Sequence, residues 1–227
     1  MTTSDGTGDG SVDRGTRSAW AEVLPLDRFN AFSDGVLAIA ITLLVLELTV
    51  PVGPDLLEDL AELWPEFLGY LISFAFIGGM WITHARMTRL MKQGDAAVFG
   101  INLLVLLFIA VLPFTTSLMV ANLTGPDVEV AVLIYGLNVL IASLLLSFLL
   151  VYISRDRRLV VDEVADETLA AIVHQRWIVI AVAIVAVATA LIAPMVAVGL
   201  YLVATVLLLV SPLIRLRRPR GRVATGP

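Results

Sequence analysis

Long apolar stretches alternate with short polar ones along most of this chain, and the breaks define the elements. The first apolar stretch runs from Phe29 to Val50 and is ended by "PVGPDLLEDLAELWPE". A second extends from Phe67 to about Ala85. A third runs from about Ala97 to Ala121, where "NLTGPD" stops it, and a fourth from Val130 to Ile153. The polar segment "SRDRRLVVDEVADE" follows, and beyond it no charged residue occurs between Trp177 and Ile214. As a single helix that last run would reach roughly 57 Å, too long for a hydrocarbon core about 30 Å thick. Two helices joined by a tight turn near Ala193-Pro194 fit it. Since about 20 apolar residues cross a bilayer as a helix, the pattern predicts an all-α integral membrane protein. It has six transmembrane helices per chain and both termini on one side.

Composition agrees. Of the 227 residues, 59% are hydrophobic, against about 45–50% in a soluble domain, and the mean hydropathy is +0.93. The absence of cysteine excludes disulfides, thiolate metal sites and thiol nucleophiles. Charge supplies the orientation. With six spans, all 15 Lys and Arg fall on the side of the termini. Cytoplasmic loops carry the excess of basic residues, so both termini are predicted to be cytoplasmic. A five- or seven-span arrangement would scatter the same charges. The other side holds only acids, among them Glu47, Glu58, Glu62 and Glu66. The domain reading is a disordered Gly/Ser/Thr/Asp-rich cytoplasmic tail over 1–27, a six-helix transmembrane domain over 28–214 and a basic cytoplasmic tail over 215–227.

Two features are expected at the surface. In "PDLLEDLAELW", Leu56, Leu57, Leu60, Leu63 and Trp64 recur at helical spacing with acids opposite, predicting a short amphipathic helix lying on the membrane. "RLRRPRGR" near the C-terminus is a positive-inside flank.

Polar side chains inside the spans carry the functional question. A charge at mid-membrane costs about 2.5–3.5 kcal/mol on insertion scales and usually faces protein or water with a partner. Asp34 lies six residues beyond Arg28, roughly 9 Å deeper. Span two brings His84 to the same inner level, with Trp81 on the same helical face. Span three brings Asn102. Two readings stand for Ser33-Asp34: a helix cap just inside the bilayer, or a network shared between helices. Arg28 and Asp34 point to different faces of one helix, so an acid that pairs with Arg28 belongs to another helix or another subunit. Further along the first span, Ile39, Leu43 and Leu46 form one apolar stripe with Thr42 beside it. Periodicity alone leaves that stripe open between helix packing, lipid contact and the lining of a pore that gates by dewetting.

These residues resemble a family. "RFNAFSD" matches the R-x-x-x-F-S-D signature that opens the first helix of the transmembrane protein 175 potassium channels. "WITHARMTRL" and "NLLVLLFIAVLPFTTSL" are similar to that family's second and third helices. Trp81, His84, Asn102, Leu103, Pro113 and Phe114 carry the match, which covers residues 28–120. The resemblance implies a prokaryotic single-repeat member: a homotetramer in the plasma membrane, with the first helix of each chain lining a potassium-permeable pore. It places Ile39, Leu43 and Leu46 at successive layers of a hydrophobic constriction, with Thr42 where the family often has a hydroxyl. It assigns Arg28, Phe32, Ser33, Asp34, Trp81, His84 and Asn102 to a structural polar network that fixes the pore helix. No cofactor and no nucleic acid is implied; potassium is the conducted ion.

Other functions compete. A proton-coupled secondary transporter using Asp34 and His84 would show inverted repeats or helices broken at the midplane, and the sequence shows neither clearly. An intramembrane enzyme would have two histidines to work with and none of the H-E-x-x-H, G-x-S-x-G or P-loop motifs. A non-conducting accessory protein would keep the fold and carry no flux.

Overall fold

The computed structural model describes residues 26–216 apart from 53, 163 and 165. The N-terminal tail to residue 25 and the basic tail from 217 lie outside the described residues, as do the side chains at 211–216. The element order is α1 (Leu26–Leu46), α2 (Leu56–Glu62), α3 (Trp64–Arg89), α4 (Ala96–Ala121), α5 (Val128–Arg155), α6 (Asp166–Ala190) and α7 (Pro194–Leu216). Five of them, α1, α3, α4, α5 and α6 from Ile172, are long and apolar enough to cross a membrane. The described apolar part of α7, Pro194–Val210, is shorter.

Local chemistry sets the helix ends. Asp95 caps α4 by accepting from the backbone N–H of Val98 at 2.9 Å. Pro65 sits in the first turn of α3, where a missing N–H has no intrahelical use. The α6–α7 break falls at Ala193-Pro194, where the sequence places its turn, with α7 opening on Pro194. Several ends differ from the hydropathy pattern. α1 stops at Leu46, and Glu47 onward is turn and extended chain. The apolar tail Leu48–Val50 therefore extends the hydrophobic stretch without extending the helix. α6 starts at Asp166, well before the uncharged run; its opening acids Asp166 and Glu167 suit the positive end of the helix dipole. The amphipathic α2 is one short helix, and Trp64 opens α3 instead of ending α2.

The helices alternate in direction, which the loop contacts make plain. At one end, the loop after α3 and the loop after α5 pair through backbone bonds: Lys92 N–H to the Leu159 carbonyl and Val161 N–H to the Leu90 carbonyl, both 2.9 Å. Lys92 also forms an exposed ion pair with Asp162 at 2.8 Å. At the other end, Ser117 of α4 donates to Glu47 at 2.7 Å, and Thr49 donates to Glu66 through both its backbone N–H and its hydroxyl.

The core lies between α3, α4, α5 and α7, with Ile72, Phe76, Ile109, Leu112, Tyr135 and Tyr201 among its fully buried side chains. Gly136 and Gly79 are among the glycines where a neighbour leaves no room for a side chain. A methyl group on Gly136 would run into the Tyr201 hydroxyl, and one on Gly79 would press on Leu208. α1 stands at the edge of this bundle, packed against α3 and α4.

Candidate functional site

α1 has two unlike faces. One face buries Phe29, Ser33, Leu37, Ala40 and Leu44 against α3 and α4. These fall three to four residues apart, as one stripe of a helix must. The other face is uncovered: Ile39 is 61% exposed, Leu43 41% and Leu46 75%, with Thr42 beside them. The Thr42 hydroxyl folds back onto the Ile39 carbonyl at 2.8 Å, which satisfies it within the helix and leaves the stripe apolar.

The N-terminal part of the buried face holds a polar chain. Asn102 Nδ2 donates to Ser33 Oγ at 2.9 Å, and Asn102 Oδ1 lies 3.0 Å from His84 Nε2. With the amide in this orientation its oxygen accepts, which suits the His84 tautomer protonated on Nε2. All three side chains are buried. Phe29 stacks on the imidazole with ring centroids 5.5 Å apart, and Phe99 meets Phe29 edge-on at 5.0 Å. Three helices are thereby fixed at one level by directional bonds within an otherwise apolar packing.

Asp34 stands apart from that chain. Its Oδ1 accepts from Trp81 Nε1 at 2.9 Å, on the exposed side of the α1–α3 contact. A groove of about 150 Å³ opens beside this pair, lined by Leu37, Ala38, Ile41, Ile77 and Gly78. Arg28 and Phe32 are exposed and lie on the α1–α4 side, lining a second groove of about 260 Å³ with Phe29, Phe99, Asn102 and Leu103. The seven polar-network residues of the sequence reading thus form a buried Ser33–Asn102–His84 chain, an exposed Asp34–Trp81 pair, and Arg28 with Phe32 on a groove that Asn102 also lines.

The structure also brings together residues that sequence reasoning passed over. Ser73, Thr116 and Tyr135 bond to one another in the core at 2.7 and 3.1 Å, and Asn138 of α5 reaches the Phe108 carbonyl and the Thr115 hydroxyl of α4. Arg176, only 5% exposed, donates to Ser147 Oγ and to the Ser143 carbonyl. Isolated hydroxyls and amides inside apolar runs were the available signal. Their partners lie on other helices, which a single sequence does not align. Among the described residues no three His, Asp or Glu side chains gather as metal ligands.

Comparison with known proteins decides the family. The family model for the endosomal/lysosomal potassium channel TMEM175 matches residues 28–113. A crystal structure of a lysosomal potassium-selective channel TMEM175 homolog from Chamaesiphon minutus superposes with a TM-score of 0.73 at 33% identity, covering 85% of this chain and 98% of that one. The chain belongs to the TMEM175 family. It is a family of ion channels, not of enzymes. At the sequence level, a potassium channel of Chamaesiphon minutus is 45% identical over 116 residues, 48% of this chain and 56% of that protein. A potassium channel of Streptomyces collinus is 40% identical over 114 residues, 48% of this chain and 55% of that protein. The human endosomal/lysosomal proton channel TMEM175 is 35% identical over 103 residues, 40% of this chain and 20% of its own length. The chain thus spans about half the length of the bacterial curated relatives it matches.

Proposed function

We propose that this chain forms a passive potassium-permeable cation channel, a homotetramer whose first helices surround the pathway. The observation that carries this reading is the division of α1 into an anchored face and an uncovered apolar face. The anchored face is held to α3 and α4 by Ser33, Asn102 and His84. The uncovered face presents Ile39, Leu43 and Leu46 in one line. In a ring of α1 helices these side chains form successive hydrophobic layers, which control conduction by admitting or excluding water. Thr42 places a hydroxyl-bearing side chain between two of the layers. The bacterial relatives named as potassium channels supply the ion. On this reading the chain crosses the plasma membrane of a prokaryote six times with both termini cytoplasmic, since that arrangement gathers every basic residue on the inner side.

The test is potassium flux through purified protein in liposomes, driven by a potassium gradient with no proton gradient. Flux that runs down the gradient without saturating supports a channel. Uptake that saturates and requires a proton gradient points instead to a transporter built on Asp34 and His84.

A further inference from the structure

α4 carries a proline in its interior, Pro113. Proline has no N–H, so the helical bond back to the carbonyl four residues earlier, here that of Ile109, is missing. The next turn adds to this weakness. The Thr115 and Thr116 hydroxyls both fold back onto the Leu112 carbonyl, at 3.1 and 2.8 Å, and such bonds bend helices. Proline is the usual place of a sharp bend, so α4 is weakest between Ile109 and Thr116.

Both halves of α4 hold α1. Before the proline, Asn102 bonds to Ser33. After it, Ser117 donates to Glu47, the residue that follows α1, at 2.7 Å. Glu47 in turn adjoins Leu46 and lies one helical turn from Leu43. A small cavity of about 20 Å³, lined by Leu44, Glu47, Tyr70, Thr116, Ser117 and Val120, leaves room at this junction. Ser117 stands roughly 6 Å along the axis from Pro113, so a change of about 20° in the bend moves it by about 2 Å. Whatever sets the bend of α4 therefore sets where the C-terminal end of α1 lies.

One side chain of another helix spans the weak point. Asn138 of α5 is buried, and its Nδ2 donates to the Phe108 carbonyl at 3.1 Å and to the Thr115 hydroxyl at 3.3 Å. These two acceptors stand on opposite sides of Pro113. An amide nitrogen has two N–H donors, and a hydroxyl can accept while it donates, so both bonds form together. We infer that Asn138 is a splint across Pro113: it fixes the bend of α4 and, through Ser117 and Glu47, the position of the C-terminal end of α1. Asn138 is thus a positioning residue for the apolar stripe at Leu43 and Leu46. Its effect on flux rests on the channel reading above; its effect on the place of α1 does not.

The test combines Asn138→Leu, which removes both donors, with Pro113→Ala, which restores the missing backbone N–H. The chain has no cysteine, so spin labels attach cleanly at Val50→Cys, just beyond α1, and at Glu129→Cys in the first turn of α5, both exposed positions. Labelled protein diluted into an excess of unlabelled protein reports the distance within one chain. Asn138→Leu is expected to shift or broaden that distance by about 2 Å and to change potassium flux through liposomes about fivefold. In the Pro113→Ala background it should do neither, because a continuous helix needs no splint. An asparagine that only stabilises the fold would lower the melting temperature in both backgrounds and leave distance and flux unmoved. That outcome overturns the inference, and so do equal shifts in the two backgrounds. Thr115→Val removes one of the two acceptors and should give a smaller shift of the same sense; it carries the test where Asn138→Leu does not fold, and an unmoved distance there overturns the splint. If wild type carries no flux, the channel reading is what fails, and the label distances alone decide the splint.

Discussion

At the scale of single residues, Asn102 joins the polar chain that links α1, α3 and α4. It is the one side chain that bonds to both Ser33 and His84. Asn102→Ala leaves two buried polar groups without partners, each worth about 1–3 kcal/mol when unsatisfied. A fall of several degrees in the melting temperature of detergent-solubilised protein is expected, with Asn102→Gln intermediate. An unchanged melting curve would mean that the bonds do not bear on stability. Gly136 makes a different kind of demand. A methyl group there meets the Tyr201 hydroxyl, which itself donates to the Val132 carbonyl. Gly136→Ala should destabilise by about 1–3 kcal/mol through overpacking, and Gly136→Ala combined with Tyr201→Phe should recover part of that loss. The polar residues of this network were visible in the sequence because each interrupts an apolar run. Their grouping was less visible: Asp34 follows Ser33 directly, yet the turn of the helix sends Ser33 to a buried face and Asp34 to an exposed one.

At the scale of elements, α1 has a packed face and a bare one. Leu44, buried against the bundle, and Leu43, on the uncovered side, are neighbours of the same residue type. Leu44→Ala should cost about 2–5 kcal/mol of stability, whereas Leu43→Ala should leave stability within about 0.5 kcal/mol. Parallel thermal melts of the two variants check this directly. The loops after α3 and α5 give a pH dependence. Hydrogen bonding from Arg158 holds the Asp156 carboxyl below its ordinary value, and Lys92 does the same for Asp162. A depressed folded-state value means that these contacts stabilise above the ordinary carboxylate range and fade as pH falls through it. The double variant Asp156→Asn/Asp162→Asn should therefore lose less stability than wild type as pH falls from about 5 to about 2, from the ordinary carboxylate value down through the depressed one; an identical acid profile would remove these pairs from the account. Helix existence was legible because hydropathy over about 20 residues is a strong signal. Helix ends were less so. α1 ends at Leu46 although the apolar run continues, and α6 begins inside a charged segment.

At the scale of the whole molecule, α1 is the helix that stands at the edge of the bundle. Every long helix leaves some large apolar side chains bare, and the first adds two flanking grooves to its bare face. An exposed apolar stripe was legible only as a periodicity, equally consistent with lipid contact, because lipid, pore and partner all leave it bare in one subunit. The distinction lies in flux. The decisive measurement is potassium flux, with potassium-over-sodium preference, through liposomes holding wild type, Ile39→Ala and Leu43→Ala. Conduction by wild type, with a changed rate or preference in both variants and unchanged melting temperatures, is the result this account predicts. Flux and preference identical in all three proteins would contradict the assignment of α1 as the lining of the pathway.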